Sequence, residues 1–121
     1  MVDDDPDIRK IFGKVISHLG YSSFAFESGT SFVRAIAKDK LSFDLVLMDY
    51  RMPEMNGIEA AKIIQRYRPD MKIVLITAFD FLEKEALANG LLYVRKPVSM
   101  EELSNILKHG IEVPALVLGS N

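Results

Sequence analysis

The chain of 121 residues contains no cysteine. This absence excludes disulfide bonds, thiolate chemistry and cysteine-ligated zinc or iron–sulfur centres. Any metal is therefore expected to be held through oxygen ligands. A cysteine-free chain is also compatible with a reducing cytoplasm.

Long apolar runs are absent as well. The longest fall far short of the roughly 20 residues that span a bilayer, and the amino terminus is acidic where a secretory signal would be basic. We therefore expect a cytoplasmic protein without a membrane segment. A net charge of -2, with both signs interspersed, provides no basic face for binding nucleic-acid phosphates.

The composition is that of an ordinary folded domain. Hydrophobic residues make up 49% of the chain and charged residues 26%, both close to the average for globular proteins. A chain of this length can bury one hydrophobic core. We expect a single domain, with no internal repeat, low-complexity segment or interdomain linker.

Hydrophobic periodicity predicts strands that alternate with helices. Strands are predicted at residues 1–2, 21–26, 45–48, 71–77 and 91–95, and helices at about 6–19, 28–38, 56–66, 80–89 and 99–109. This alternation predicts an α/β fold with a parallel sheet and helices on both faces.

Polar side chains follow the predicted strands. Asp3 and Asp4 follow the first, Asp49 ends the central apolar run, Thr77 ends the next strand, and Lys96 follows the last. Because the carboxyl ends of parallel strands share one edge of the sheet, these residues are expected to form one site. The bland alternatives are that an acid of Asp3–Asp5 caps the first helix and that Asp49 is a solvated strand end.

The chemistry of this residue set favours phosphoryl transfer. Several carboxylates around one cavity repel one another, and Mg²⁺ relieves the repulsion with one or two carboxylates plus waters or phosphate oxygens. Lys96 supplies a positive charge and Thr77 a hydroxyl, both suited to a phosphoryl anion. Asp49 is the best candidate for the nucleophile.

Four motifs resemble those of the receiver domains of two-component response regulators, including the chemotaxis regulators. They are Val2-Asp3-Asp4-Asp5-Pro6, Asp49-Tyr50-Arg51-Met52-Pro53 with Gly57, Thr77-Ala78, and Lys96-Pro97. The resemblance covers nearly the whole chain. It implies a flavodoxin-like, doubly wound parallel sheet of five strands in the order 2-1-3-4-5.

The resemblance also implies a metal and a phosphoryl donor. Asp49 would accept a phosphoryl group from a histidine kinase or a histidine phosphotransfer protein. Asp4, Asp49 and the backbone carbonyl of Arg51 would bind Mg²⁺ directly, and Asp3 would act largely through water. Lys96 would contact the phosphoryl oxygens, and the Lys96-Pro97 peptide bond is expected to be cis.

Two further residues match the conformational switch of the family. Thr77 would close onto the phosphoryl group, and the rotamer of Tyr93 would follow that movement. Tyr93 as a simple half-buried strand aromatic is an equal alternative. His18 and His109 lie on helices away from the proposed site, and we assign them no catalytic role.

The sequence therefore predicts a phosphorylation-dependent signalling switch in a phosphorelay. Such a domain catalyses its own Mg²⁺-dependent phosphoryl transfer and slow aspartyl-phosphate hydrolysis without being a conventional enzyme. A degenerate receiver that only binds proteins is the main alternative. A metal-dependent phosphatase would need a second carboxylate where Arg51 stands, and a flavin or nucleotide carrier lacks a glycine-rich loop. The downstream effector is open, as is the choice between a monomer and a phosphorylation-linked dimer.

Two departures from the family pattern stand out. Only Met1 and Val2 precede the acidic pair, so most of the first strand is missing, and the segment from Thr77 to Lys96 is a few residues short. We assign residues 1–111 to the receiver and 112–121 to a tail whose segment Val113 to Leu118 is apolar. One hypothesis places Ala115 to Leu118 in the vacant first-strand position, within one chain or by exchange between two. A trimmed sequence and a frayed tail are the alternatives.

Overall fold

The computed structural model describes residues 1–39, 41 and 43–112. Within them the helices are α1 (Pro6–His18), α2 (Gly29–Asp39), α3 (Gly57–Tyr67), α4 (Glu83–Ala88) and α5 (Met100–Glu112). The strands are β1 (Leu45–Asp49), β2 (Lys72–Thr77) and β3 (Leu92–Arg95), and a 3₁₀ turn at Asp80–Leu82 precedes α4. The predicted fourth helix is thus a 3₁₀ turn followed by one short α-helix. None of the helices in these ranges combines the length and apolarity needed to cross a membrane.

The sheet is parallel and confirms the predicted strand order. β1 pairs with β2, and β2 with β3. Val2 forms isolated parallel bridges to Phe26 on one side and Met48 on the other. Across the sheet the order is the segment at Phe26, the segment at Val2, β1, β2 and β3, which corresponds to 2-1-3-4-5. The first two predicted strands are each reduced to a single bridge position.

α3 and α5 begin directly after residues that cap their first turns. Asn56 and Glu59 form a reciprocal capping box at α3, with both hydrogen bonds between 2.9 and 3.0 Å. At α5 the Ser99 hydroxyl accepts from the backbone N–H of Glu102 at 3.0 Å, as the sequence predicts. These bonds satisfy backbone donors that the first helical turn leaves free. Local sequence therefore fixes where these two helices leave the carboxyl edge of the sheet.

The sheet separates two hydrophobic layers. α2, α3 and α4 cover one face, and α1 and α5 cover the other. Successive residues of β1 point to opposite faces, so Val46 and Met48 join the first layer and Leu47 the second. Because both faces are covered, the strands read as continuous apolar runs.

Gly57 lies where α3 passes closely over the end of β1. A Cβ atom added there would collide with the backbone carbonyl oxygen of Asp49 and come within 2.9 Å of Leu75 Cδ1. The backbone oxygen cannot move without disturbing the strand. Only glycine therefore fits at this position without displacing the residue that ends β1.

We expect Gly57→Ala to lower the free energy of unfolding by about 1–3 kcal/mol, the usual cost of overpacking. The matched control is Gly13→Ala in α1, where the added Cβ makes only an ordinary contact at 3.8 Å from the Ser23 hydroxyl. That change should stabilise the protein by about 0.5–1 kcal/mol, because glycine is unfavourable inside a helix. Urea unfolding curves of both variants measure the difference, and equal shifts would contradict the packing argument.

Candidate functional site

The carboxyl edge of the sheet carries a concavity of about 290 Å³, here called the carboxyl-edge site. Six of the seven residues predicted from the sequence line it, namely Asp3, Asp4, Asp49, Arg51, Thr77 and Lys96. The other lining residues are Asp5, Ile8, Ala78 and Phe79. The seventh predicted residue, Tyr93, lies outside the concavity.

Three carboxylates converge at this site. One oxygen each of Asp3, Asp4 and Asp49 lies within 4.8 Å of the others. Asp3 is 2% exposed and Asp49 5% exposed, whereas Asp4 is exposed. The cap of α1 is Asp5, whose Oδ1 accepts from the backbone N–H of Asp7 at 2.9 Å. Since Asp5 alone fills the capping role, capping does not account for Asp3 and Asp4.

Lys96 reaches the carboxylates from the end of β3. Its Nζ lies 2.7 Å from Asp49 Oδ1 and 3.9 Å from Asp3 Oδ2. The backbone N–H of Lys96 donates to the Thr77 carbonyl at 2.9 Å, which continues the pairing of β2 and β3. The Lys96–Pro97 peptide bond is cis, as the family resemblance implied.

Burial dominates the electrostatics of the site. It raises the pKa of Asp49, and the hydrogen bond and charge of Lys96 offset only part of that rise. Burial likewise raises the pKa of Asp3, with a further contribution from the charge of Asp49. Burial on its own would lower the pKa of Lys96, but Asp49, Asp3 and Asp4 together outweigh it and raise that pKa. The site therefore holds more negative charge than its lysine neutralises.

The donor set fits a hard divalent cation. Asp3 Oδ1 accepts from the backbone N–H of Asp5 at 2.9 Å, but the buried Oδ2 has no hydrogen-bond partner among the described residues. A buried carboxylate oxygen without a partner is costly. Mg²⁺ prefers such oxygen ligands, so the three carboxylates would satisfy part of its coordination.

Thr77 and Tyr93 are connected through Phe79. The Thr77 hydroxyl oxygen accepts from the backbone N–H of Phe79 at 3.2 Å. The Tyr93 hydroxyl donates to the backbone carbonyl of Phe79 at 2.8 Å. Thr77 and Tyr93 are therefore linked through one intervening residue, Phe79, whose N–H and carbonyl they contact.

Two contacts at the site were missed at the sequence level. The Arg51 guanidinium carbon lies 4.9 Å from the centroid of the Phe79 ring, within cation–π range. Arg9 Nη1 donates to the backbone carbonyl of Asp3 at 2.7 Å and so helps to position the acidic strand end. Phe79 lies two residues after Thr77, which ends β2. This position after a strand end could have identified Phe79 as a residue of the site. Nothing in the spacing of Arg9 distinguishes it from other helical arginines.

Comparison with known proteins decides the family. Residues 1–108 match the family described as the response regulator receiver domain. The chain belongs to this family. Receiver domains are the phosphorylation-dependent switches of two-component signal transduction, and they interact with histidine kinases or phosphotransfer proteins and with downstream effectors.

Individual relatives agree with the assignment to receiver domains. The transcriptional regulatory protein GlrR of Escherichia coli (strain K12) is 32% identical over 118 residues, which is 95% of this chain and 26% of that protein. Sporulation initiation phosphotransferase F of Bacillus subtilis (strain 168) is 27% identical over 111 residues, covering 89% of this chain and 88% of that protein. The receiver chain thus spans about a quarter of the first curated relatives, which include GlrR.

A solved structure supports the receiver fold and the nature of the site. The response regulator protein TrrA from Thermotoga maritima, in complex with Mg²⁺-BeF, superposes with a TM-score of 0.80 and 29% identity. The match covers 90% of this receiver and 94% of that chain. The acidic cluster at which receiver domains bind Mg²⁺ is present here in Asp3, Asp4 and Asp49.

In the absence of divalent metal, we expect Asp3→Asn to raise the free energy of unfolding by about 1–2 kcal/mol, because a buried, poorly paired charge is removed. With saturating Mg²⁺ the wild type should become the more stable of the two proteins, since it gains binding free energy that the variant loses. Urea unfolding with and without MgCl₂ measures both effects. Asp70→Asn, on an exposed position, is the matched control.

The pH dependence of this difference follows from the raised pKa of Asp3. A carboxylate whose folded-state pKa is raised destabilises the fold above that pKa, and the penalty disappears as pH falls toward about 4, where the unfolded group is protonated. The stability gap between Asp3→Asn and the metal-free wild type should therefore shrink on acidification. A gap that is constant or widens as pH falls would contradict the assignment.

Proposed function

We propose that this receiver is a cytoplasmic phosphorelay switch that accepts a phosphoryl group on Asp49 from a phosphohistidine of a histidine kinase or phosphotransfer protein. The observation that carries the proposal is the contact of Asp49 with Lys96 at 2.7 Å inside a cluster of three carboxylates. Residues 1–111 form the proposed receiver unit.

The proposed transfer is a single displacement at phosphorus. A carboxylate oxygen of Asp49 attacks, the bond between phosphorus and the imidazole nitrogen breaks, and the electron pair stays on the departing imidazole, which then takes up a proton. The product is an acyl phosphate on Asp49. Burial of Asp49 and Thr77 favours the step, because electrostatic contacts are stronger between groups that are shielded from water.

Lys96 has a role before and after the transfer. In the unphosphorylated protein its ammonium group balances part of the charge on Asp49 and Asp3. When the phosphoryl group arrives, the same ammonium can pair with its oxygens. Asp3, Asp4, Asp49 and the backbone carbonyl of Arg51 would hold Mg²⁺, which supplies neutralisation of the transferring group's charge.

The output step begins at Thr77. Its hydroxyl can donate a hydrogen bond to a phosphoryl oxygen. Thr77 is 3% exposed. If the hydroxyl turns to the phosphoryl group, its hydrogen bond from Phe79 is perturbed, and Tyr93 is bonded to the same residue. This connection supports Thr77 and Tyr93 as the switch pair.

A degenerate receiver that is never phosphorylated remains the second candidate. It would not need an acceptor, an acid pair, a hydroxyl and a lysine in one concavity, yet the carboxyl-edge site contains all of them. The complete set therefore favours the phosphorylated switch over the unphosphorylated binding module.

Phosphorylation is tested directly with a small phosphodonor. Incubation with Mg²⁺ and acetyl phosphate should add one phosphoryl group by intact mass, with acetate released. Asp49→Asn should abolish the adduct, whereas the exposed control Asp70→Asn should keep it. An adduct that persists in Asp49→Asn would move the acceptor to another residue. No adduct on the wild type would favour the unphosphorylated binding module.

Lys96→Ala separates metal binding from switching. We expect its Mg²⁺ affinity to stay within about fivefold of the wild type, because Lys96 contacts the anion and supplies no ligand to the metal. The conformational response to phosphorylation should be lost, since the cation that would contact the phosphoryl group is gone. Mg²⁺ titration and amide chemical shifts around Tyr93 measure the two properties, with exposed Lys62→Ala as the control. Equal loss of metal affinity and response would contradict this role.

A further inference from the structure

Asp4 differs from the other two carboxylates of the carboxyl-edge site in how it is held. Asp49 pairs with Lys96, and Asp3 is buried. Asp4 is exposed, and its carboxylate has no hydrogen bond or ion pair within the described residues. The place of the Asp4 side chain at the site must therefore come from the backbone on either side of it.

The two peptide groups that flank Asp4 are both hydrogen-bonded. On the amino side, the carbonyl of Asp3 accepts from Arg9 Nη1 at 2.7 Å. On the carboxyl side, the N–H of Asp5 donates to Asp3 Oδ1 at 2.9 Å. Because a peptide group is planar, a hydrogen bond to its carbonyl or from its N–H orients the whole plane. With both planes oriented, the backbone dihedral angles of Asp4 have little freedom, and neither has the direction of its side chain.

A third hydrogen bond closes these contacts into a ring. The backbone N–H of Arg9 donates to the carbonyl of Asp5 at 3.1 Å, in the first turn of α1. Asp5 also caps that turn, since its Oδ1 accepts from the backbone N–H of Asp7 at 2.9 Å. The ring therefore runs from Asp3 to Asp5, on to Arg9 and back to Asp3. It ties the acidic strand end to the start of α1.

Arg9 contacts the backbone of the acidic cluster and not its carboxylates. Its guanidinium donates to the Asp3 carbonyl and forms no ion pair among the residues that the structure describes. The charges that bear most on the pKa of Asp3 are those of Asp49, Lys96 and Asp4. Arg9 therefore acts on the cluster through geometry, whereas Lys96 acts on it through charge.

We propose that Arg9 is a positioning residue for the metal: by holding the Asp3 carbonyl, it places the Asp4 carboxylate for Mg²⁺ and favours Mg²⁺ over Ca²⁺. The inference rests on the metal site of the proposed function. Mg²⁺ demands near-ideal octahedral geometry, whereas Ca²⁺ accepts more oxygen ligands in a flexible arrangement. A carboxylate whose direction is set by the backbone therefore benefits Mg²⁺ more than Ca²⁺.

Positioning and charge predict opposite effects when the Arg9 guanidinium is removed. A cation close to a metal site repels the incoming Mg²⁺, so charge alone predicts tighter Mg²⁺ binding after its removal. Loss of the hydrogen bond to Asp3 frees the peptide group before Asp4, so the positioning role predicts weaker Mg²⁺ binding. The sign of the change in Mg²⁺ affinity therefore separates the two.

Calorimetric titration of the full chain with MgCl₂ and CaCl₂ tests this role. Arg9→Met keeps the length of the side chain and removes its donors. It should lower the Mg²⁺ affinity about tenfold, a usual effect of losing a group that orients a metal ligand, and the Ca²⁺ affinity by less. Arg9→Lys retains a donor and should recover most of the Mg²⁺ affinity. The control Lys10→Ala removes the same charge from an exposed position of α1 and should not weaken binding.

Three results would overturn the positioning role of Arg9. The first is a Mg²⁺ affinity in Arg9→Met that is unchanged or higher than in the wild type. The second is an equal loss of affinity for both ions, which a smaller folded fraction would also produce. The third is an Arg9→Lys variant as weak as Arg9→Met. A wild type that binds no Mg²⁺ would overturn the metal site itself, and this inference with it.

Discussion

Charge at the carboxyl end of the sheet is the constraint on which the rest of the site depends. Oxygens of Asp3 and Asp49 lie within 4.8 Å of each other, and at an effective dielectric constant near 20 two full charges at that distance or less repel by at least about 3.5 kcal/mol. Both side chains are buried, and Lys96 pairs closely with only one of them. The excess negative charge favours binding of a divalent cation at this site. A bound cation would in turn attract a phosphoryl anion.

Much of this arrangement can be predicted from the sequence, because strand ends and helix caps are local features. Asp49 and Thr77 each end an apolar run, and parallel pairing brings such ends to one edge. The assignment of the cap to one acid also follows from local geometry, although the sequence alone did not identify Asp5 as that acid. The site residues converge because each follows the carboxyl end of a strand and all the strands are parallel.

The rest depends on tertiary contacts that periodicity does not encode. The segment 21–26 has strand-like composition, but among the described residues of this segment only Phe26 forms a bridge, and its partner is Val2. The link through Phe79 is made by backbone groups, which carry no side-chain signature. The cation–π contact of Arg51 joins two loops whose separation is set by the whole sheet. The hypothesis that Ala115 to Leu118 occupy the first-strand position concerns residues that lie outside the described ranges.

The most direct test of the central claim is a crystal structure of the protein with Mg²⁺ and beryllofluoride, an analogue of the phosphoryl group. We predict a metal ion coordinated by Asp4 and Asp49, the beryllofluoride on Asp49, and Lys96 Nζ moved from the Asp49 carboxylate to a fluorine. Beryllofluoride on another residue, or a metal ion bound away from the three carboxylates while Lys96 keeps its contact with Asp49, would contradict the account.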